Sequence, residues 1–471
     1  MTLSTPSQAP ASVAPPVPDN AASLTGPAPA PGQASGHASA PADPRTRGRY
    51  ARLPLLAGRS FIPIGLFARL PLAMLTVGAL TLVTAVTGSY AVGGLSAGAV
   101  GIGSALGAPV LGALADRRGQ RPVLVFAAVF NTVAVVALIL AAYLIPGGQD
   151  PAAALPVLLA AFVAGASCPQ VGPLARVRWM ALTSRGGRHA DPADLDTALS
   201  YESTADELTF VLGPALVGIL ASLIAPWLPL ALAAVLTITL VPAFAVHPTH
   251  LAVVPTPART AAGAAREKER RASRPAAQRA GAFAAVALPV LAMVCMGTFF
   301  GSTQTSLSSF SASFATSELA GLLYAVMGLS SAAAALSVAY WPQRFTANAR
   351  WLACAALMAG LALLLLLPST ALPMILVLLV LGLPVGPLMV TVFAIGGLVA
   401  PAGKLGTVMT ALASGIVAGT AIGSSIAGQL AQHQGYSTAF LVPVCAATAL
   451  FLLGSAAAVI LRRRTTAAAA G

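Results

Sequence analysis

The sequence predicts an all-α membrane protein built from twelve transmembrane helices. Three observations predict it: the composition, the length and recurrence of the apolar runs, and the placement of the basic residues. Of 471 residues, 57% are hydrophobic and 8% charged, and the mean hydropathy is +0.83. That leaves too little polar surface to coat a soluble globule of this size. The apolar runs are continuous rather than alternating, and nearly all reach the roughly 20 residues that a helix needs to cross a bilayer. In hydrocarbon only helices and closed barrels satisfy the backbone, and continuous runs select the helix.

The chain opens with residues 1–44, rich in Ala, Pro and Ser and almost free of charge. Such a composition cannot bury enough apolar surface to offset the entropy of ordering, so residues 1–52 are expected to form a disordered cytoplasmic tail. No apolar run begins before about residue 61, which argues against a cleaved signal. Spans are then predicted at 61–86, 91–113, 122–145, 153–175, 203–225 and 227–247, forming a first bundle over 53–247. A second bundle over 282–462 follows, with spans at 282–307, 318–340, 350–368, 371–399, 405–431 and 437–461. Between the bundles, 248–281 contains "REKERRASR" and reads as a solvated cytoplasmic linker, with 463–471 as a cytoplasmic tail.

The basic residues orient this arrangement. With a cytoplasmic N-terminus, every one of the 26 Lys and Arg except Arg69 falls on the inner side of the twelve-span scheme. A miscounted span would carry arginines to the outside, so the asymmetry supports both the count and the orientation. The net charge of +13 is thereby a topology signal and not the footprint of a nucleic-acid partner. A multi-pass protein of the plasma membrane is expected, monomeric in the bilayer, with both termini cytoplasmic. Cys168, Cys295, Cys354 and Cys445 are scattered without CxxC spacing, and the five histidines do not cluster, so no metal site is expected.

The two halves echo each other. "VGPL" occurs at 171–174 in the fourth span and again at 385–388 in the tenth. "VLGPALVGILA" at 211–221 in the fifth span resembles "VAGTAIGSSIAGQLA" at 417–431 in the eleventh. Both matches join corresponding helices of a duplicated bundle, an architecture used by transporters.

The stretch "GALADRRGQRPVL" at 112–124 concentrates charge between the second and third spans. A short connection needs glycine at its bends, and a small residue at Gly112 lets another helix approach. Asp116 is placed either to pair with local arginines or to cap the positive N-terminus of a helix from the other half. Gly112, Leu114, Asp116, Arg117, Gly119, Arg121 and Leu124 resemble the loop motif of the major facilitator superfamily, with Gln120 replacing a basic residue. The resemblance implies two pseudo-symmetric six-helix bundles, transport of a small molecule by alternating access, and a latch at this loop that closes the cytoplasmic side.

"FVLGPALVG" at 210–218 is similar to part of the fifth-helix motif of exporters in that superfamily. Gly213, Pro214 and Gly218 match it, whereas Thr209 and Val217 stand where glycines occur. A small-residue packing face with a proline bend explains the same residues. The arginine pattern that drug exporters carry in the fourth span is absent, since Arg176 and Arg178 stand only at its inner end. Glycines at 94, 98, 103 and 107 in the second span and at 415, 419 and 423 in the eleventh have GxxxG spacing and are expected at close helix crossings. "GLSAG" at 94–98 matches a hydrolase elbow, but no strand precedes it and no Asp and His partners serve it, so no enzyme is expected.

By resemblance, the substrate cavity is lined from the first, fourth, seventh and tenth spans, where Thr76, Ser167, Gln170, Thr298, Phe299, Gln304 and Met389 stand. Three charges remain inside the spans: Arg69, Asp206 and Glu207. An intramembrane charge costs about 2.5–3.5 kcal/mol on insertion scales and so needs a partner, water or a function. Either Arg69 pairs with Asp206 or Glu207, or it snorkels to the inner surface and the acids favour a helix N-terminus. No P-loop is present, so no cofactor is expected and a proton gradient is the expected energy source. Together these readings predict proton-coupled efflux of a drug-like or amphipathic compound. A sugar or metabolite permease, or a non-transporting membrane receptor or scaffold, are the alternatives.

Overall fold

A computed structural model describes residues 48–144, 154–184, 191–255, 276–313 and 319–469. Twelve helical segments there are long and apolar enough to cross a membrane. They are α1 (Phe61–Thr87), α2 (Val92–Arg118), α3 (Gln120–Leu144), α4 (Leu155–Ser184), α5 (Pro192–Leu223), α6 (Leu228–Val246), α7 (Ala280–Ala312), α8 (Ala320–Tyr340), α9 (Ala347–Leu366), α10 (Ala371–Val399), α11 (Leu405–Gln434) and α12 (Tyr436–Val459). Among the described residues there is no strand.

Local chemistry sets the ends. Gly88 takes φ +66° after α1, and the Ser89 hydroxyl accepts from the Val92 amide to start α2. Gly119, at φ +89°, turns the chain between α2 and α3. The Asp191 carboxylate accepts the Ala193 amide at 2.9 Å, so α5 begins at Pro192 and not near residue 203. That extension carries Glu202 from the expected edge of the span well into the helix.

Two spans are interrupted well inside their length, besides the one-residue break at Phe440 near the start of α12. In α1 one helix ends at Phe67 and the next begins at Leu70, with Pro71 in its first turn. In α4, Pro169 holds Cys168 in an extended conformation between Leu155–Ser167 and Val171–Ser184. Arg69 and Gln170 occupy these two breaks.

Packing repeats between the halves. Gly103 and Gly107 of α2 seat against the backbone of α4, where a β-carbon would overlap the carbonyls of Phe162 and Ala166. Gly382 and Gly386 of α10 make the equivalent crossing against Met327 and Ser331 of α8. Gly213 of α5 rides on Ala73 of α1, and its counterpart Gly419 of α11 on Val294 of α7, with Gly415 and Gly423 alongside. Close approach of this kind replaces the hydrophobic driving force that lipid does not supply. Gly94, Gly98 and Gly218 meet no neighbour, so the expected close crossings do not extend to them. Lipid-facing stripes complete the picture, as on α3, where Phe126, Phe130, Val133, Leu140 and Leu144 are exposed at helical spacing.

The expected domain boundaries shift. Residues 1–47 and 256–275 of the tail and linker lie outside the described residues, but 48–52 are folded and not part of a disordered tail. Arg49–Arg52 is a 3-10 turn whose side chains reach the inter-bundle face, and Leu53–Ala57 is a short helix. The linker's first residues, Pro248–Ala252, form a second 3-10 turn, and the last helix runs Leu441–Ala469 through most of the expected C-terminal tail.

Candidate functional site

The polar contacts between the halves gather on the face that carries the α2–α3 connection. Asp116 reaches across to the start of α11. One carboxylate oxygen accepts the Gly406 amide at 2.8 Å, and the other accepts the Thr407 amide and hydroxyl, each at 2.7 Å. A carboxylate set on the first free amides of a helix is favoured by hydrogen bonding and by the helix dipole. Of the two roles open to Asp116, it takes the cap, while Arg117, Arg118 and Arg121 stay exposed. Gly112 lies against Thr410 and Gly406 so closely that a methyl group would collide, and Leu114 packs half-buried beside it.

The α5–α8 side of the same face is closed by other bonds. The Thr204 hydroxyl donates to the Ala332 carbonyl at 3.2 Å, and Arg350 pairs with Asp196 at 3.0 Å. The segment before α1 joins in: Arg49 donates to the Ala339 carbonyl, and the Tyr50 hydroxyl donates to that of Leu336 at 2.6 Å. Burial pushes Tyr50 up to about 12, which keeps it a donor at any physiological pH. Arg52 ties this segment to α5 through Asp191 at 3.1 Å and Asp194 at 3.0 Å.

Behind the closed face lies a cluster of charges. Arg69 pairs with Asp206 at 2.8 Å and with Glu202 at 2.7 Å, and its Nε donates to the Gly65 carbonyl at 2.9 Å. Asp206 bridges to a second cation, Arg176, at 2.7 Å. Glu202 is held on its other oxygen by the Trp179 indole at 2.8 Å. The pairing expected for Arg69 is therefore with Asp206, joined by Glu202, and not with Glu207. Glu207 points to the other side of α5, where it accepts the Ser331 hydroxyl of α8 at 2.9 Å. The break in α1 explains why Arg69 does not snorkel: it sets the side chain sideways into the bundle.

The C-terminal end of α4 is buried, so Arg176 and Arg178 are not surface anchors. Arg176 stacks 3.9 Å over the Phe393 ring of α10. Arg178 stacks 3.9 Å over Phe244 and donates to Gln120 at 2.8 Å, to the Phe244 carbonyl at 2.8 Å and to Thr249 at 3.0 Å. Gln120, the residue that departs from the loop motif, is thus the acceptor for a buried arginine. Beyond the end of α6, burial and neighbouring Arg178 hold His247 below its usual value, so it is neutral at pH 7.

A cavity opens at the junction of the halves. Arg69, Gln170, Gly172 and Asp206 line it, with apolar walls that include Leu72, Phe393 and Ile416. Of the expected cavity residues, Gln170 lies on this lining. Ser167 is hydrogen-bonded to Asn131, and Phe299 and Met389 are in the apolar core. Thr298 bonds back to the Val294 carbonyl beneath Gly419 and Gly423, Thr76 is half-buried, and Gln304 is exposed. The four cysteines are free, and no metal-binding group of His, Cys, Asp or Glu occurs among the described residues.

Twelve spans, two matching bundles and a cavity between them closed on one face call for comparison with known transporters. The family model for the Major Facilitator Superfamily matches residues 61–415. The chain belongs to the major facilitator superfamily. Its fold is similar to that of the human organic anion transporter MFSD10, at 18% identity and a TM-score of 0.61, covering 84% of this chain and 99% of that one. FucP, the E. coli fucose:proton symporter, in its outward conformation, is similar at 14% identity and a TM-score of 0.56, covering 85% and 99%. A bacterial homologue of the iron transporter ferroportin in an outward-facing state gives 13%, 0.57, 84% and 98%. No curated protein sequence matches the chain.

As a major facilitator protein the chain is a membrane transporter and not an enzyme. Within that fold, Glu202, Arg176, Trp179 and Arg178 are the residues that sequence reasoning missed. One signal pointed to the three on α4: "LARVRWMALTSR" stays largely apolar to Ser184, so a span continued to that residue places both arginines well inside it.

Proposed function

We propose that this protein is a proton-coupled secondary transporter that exports a drug-like or amphipathic compound across the plasma membrane. The observation that carries the reading is Asp206, a carboxylate on the wall of the inter-bundle cavity that joins Arg69 to Arg176. A proton arriving from the cavity would neutralise Asp206 and loosen both ion pairs, which links proton occupancy to the packing of α1, α4 and α5. The mainly apolar remainder of the wall suits an amphipathic compound, and the part-match of α5 to the exporter motif supports export. With the basic face taken as cytoplasmic, the closed side is the inner one and the conformation is outward-facing.

Uptake is the second reading, and the same carboxylate favours it. A protonated Asp206 releases Arg176 and one side of Arg69, so a proton and an anionic metabolite would load together. Purified protein in liposomes, given a fluorescent substrate panel and pH gradients of either sign, decides between them. Export predicts that substrate moves against an inward proton flow, uptake that it moves with it, and no pH-driven movement of any compound refutes both. Orientation is tested by maleimide labelling of intact cells in a background with Cys445 replaced by Ala. Ser369→Cys is expected to react from outside and Arg344→Cys is not; the reverse result overturns the topology.

A further inference from the structure

The cavity wall has a notch at Gly172. A β-carbon there would stand 3.1 Å from an Asp206 oxygen, 3.7 Å from Nη1 of Arg176 and 3.8 Å from Nη1 of Arg69. A side chain at that point would press against all three groups, and its absence leaves the approach to them from the cavity open. Arg176 is fully buried, and its Nε and Nη1 have no hydrogen-bond acceptor among the described residues. A buried guanidinium left with open donors is costly unless something fills them in another step of the cycle.

The two carboxylates of the cluster are not equivalent. Glu202 has a side chain 1% exposed, and Arg69 and the Trp179 indole hold both its oxygens. Asp206 is 18% exposed and faces the cavity. Arg69 and Arg176 against Glu202 and Asp206 make a neutral set, and Asp206 is the member able to withdraw. An incoming cation would find its counter-charge already held by two guanidiniums. An incoming anion would find two donors open and one exchangeable partner.

We propose that the substrate is an amphipathic organic monoanion, a carboxylate or an equivalent oxyanion on an apolar body. Its anionic group enters the Gly172 notch and takes the place of Asp206 against Arg176 and Arg69. Its apolar body lies along Phe393, Leu72 and Ile416. Planar guanidinium groups suit a bidentate oxyanion. The inference rests on the reading of this cavity as the transport site and names the substrate class for it.

The test is equilibrium binding to the purified full chain, with 2-naphthoate as the anionic probe and tetraphenylphosphonium as the cationic one. 2-Naphthoate is expected to bind and tetraphenylphosphonium is not. Asp206→Asn removes the internal competitor and is expected to tighten 2-naphthoate at least tenfold, whereas a site that used Asp206 to hold substrate would lose affinity. Gly172→Val is expected to abolish binding with the charges left in place. Thermal melting identifies folded variants, and Gly172→Ala serves if Gly172→Val does not fold. Failure of 2-naphthoate to bind folded wild-type protein, weaker binding in Asp206→Asn, or binding that survives Gly172→Val overturns the proposal. Movement of cationic or neutral compounds in liposomes without anion binding would sink the substrate class and leave the transporter reading standing. Gly172-dependent anion binding with no transport would do the opposite.

Discussion

At the scale of single residues, the buried ion pairs set the strongest constraints. Arg69 holds both Glu202 and Asp206 at hydrogen-bonding distance, so its removal strands Glu202 in a low-dielectric interior and leaves Asp206 to Arg176 alone. Breaking a buried pair from one side costs about 3–5 kcal/mol, because the partner's desolvation is no longer offset. Arg69→Ala is therefore expected to lower expression and the melting temperature severely, and Arg69→Ala with Glu202→Gln to recover part of the loss. Additive effects in that cycle would show that the two do not act as a pair. Asp191 illustrates the milder, exposed case. The Ala193 amide, then Arg52, hold it below the usual carboxylate range. A lowered value in the folded state means its contribution is present at neutral pH and is lost as pH falls through that lowered value. Asp191→Ala is expected to cost about 1 kcal/mol at pH 7, the usual worth of a helix cap, and nearly nothing once the group is protonated. Melting curves of both proteins against pH measure this; a difference that grows in acid contradicts the sign.

At the scale of helices, glycine spacing in the sequence does not distinguish a crossing from an open face. Gly419 seats on the Val294 carbonyl, whereas Gly218 has open space around it. Gly419→Ala is expected to push α11 off α7 and destabilise the second bundle, in the range of about 1–3 kcal/mol typical of overpacking. Gly218→Ala is expected to be neutral or slightly stabilising, since alanine is the better helix former. Thermal melting in one detergent compares them, and equal effects would mean that the α7–α11 approach is looser than described. The duplicated bundle explains why Gly213 is the informative member of the α5 motif. It is the counterpart of Gly419 and performs the same packing task against Ala73.

At the scale of the whole molecule, the closed face is a set of contacts that another state must break. Asp116 contributes a charged cap to α11, a helix of the opposite bundle, while touching none of the cavity residues. Asp116→Asn keeps the shape but loses the charge. A bias of about 1–2 kcal/mol corresponds to roughly a fivefold to thirtyfold change in the ratio of two states. Thr410→Cys, buried at this junction, is expected to be alkylated about tenfold faster when Asp116→Asn is added, with ligand binding by the closed form unchanged. An unaltered alkylation rate and unaltered transport would show that the cap does not bias the equilibrium.

Much of this architecture is legible in the sequence. Spans of bilayer length are set by local hydropathy, and the arginine asymmetry depends on how many times the chain crosses, so both are written in order along the sequence. The motif at 112–124 located the junction for the same reason, because a glycine approach and a helix cap need particular residue types at particular spacings. The partners across the junction were not legible. Asp116 had two roles open to it, and the cap on Gly406 and Thr407 depends on where α11 begins relative to α2. Arg69 found Asp206 and Glu202 instead of Glu207 because two non-local features decide the geometry. A break in α1 turns the arginine inward, and the early start of α5 makes Glu202 helical one turn before Asp206 and on its face, while Glu207, one residue on, points to Ser331. A charge in hydrocarbon must find a countercharge, and the sequence determined that Arg69 would have one; which carboxylate supplied it is a matter of helix phase and tilt, which packing between distant helices alone decided.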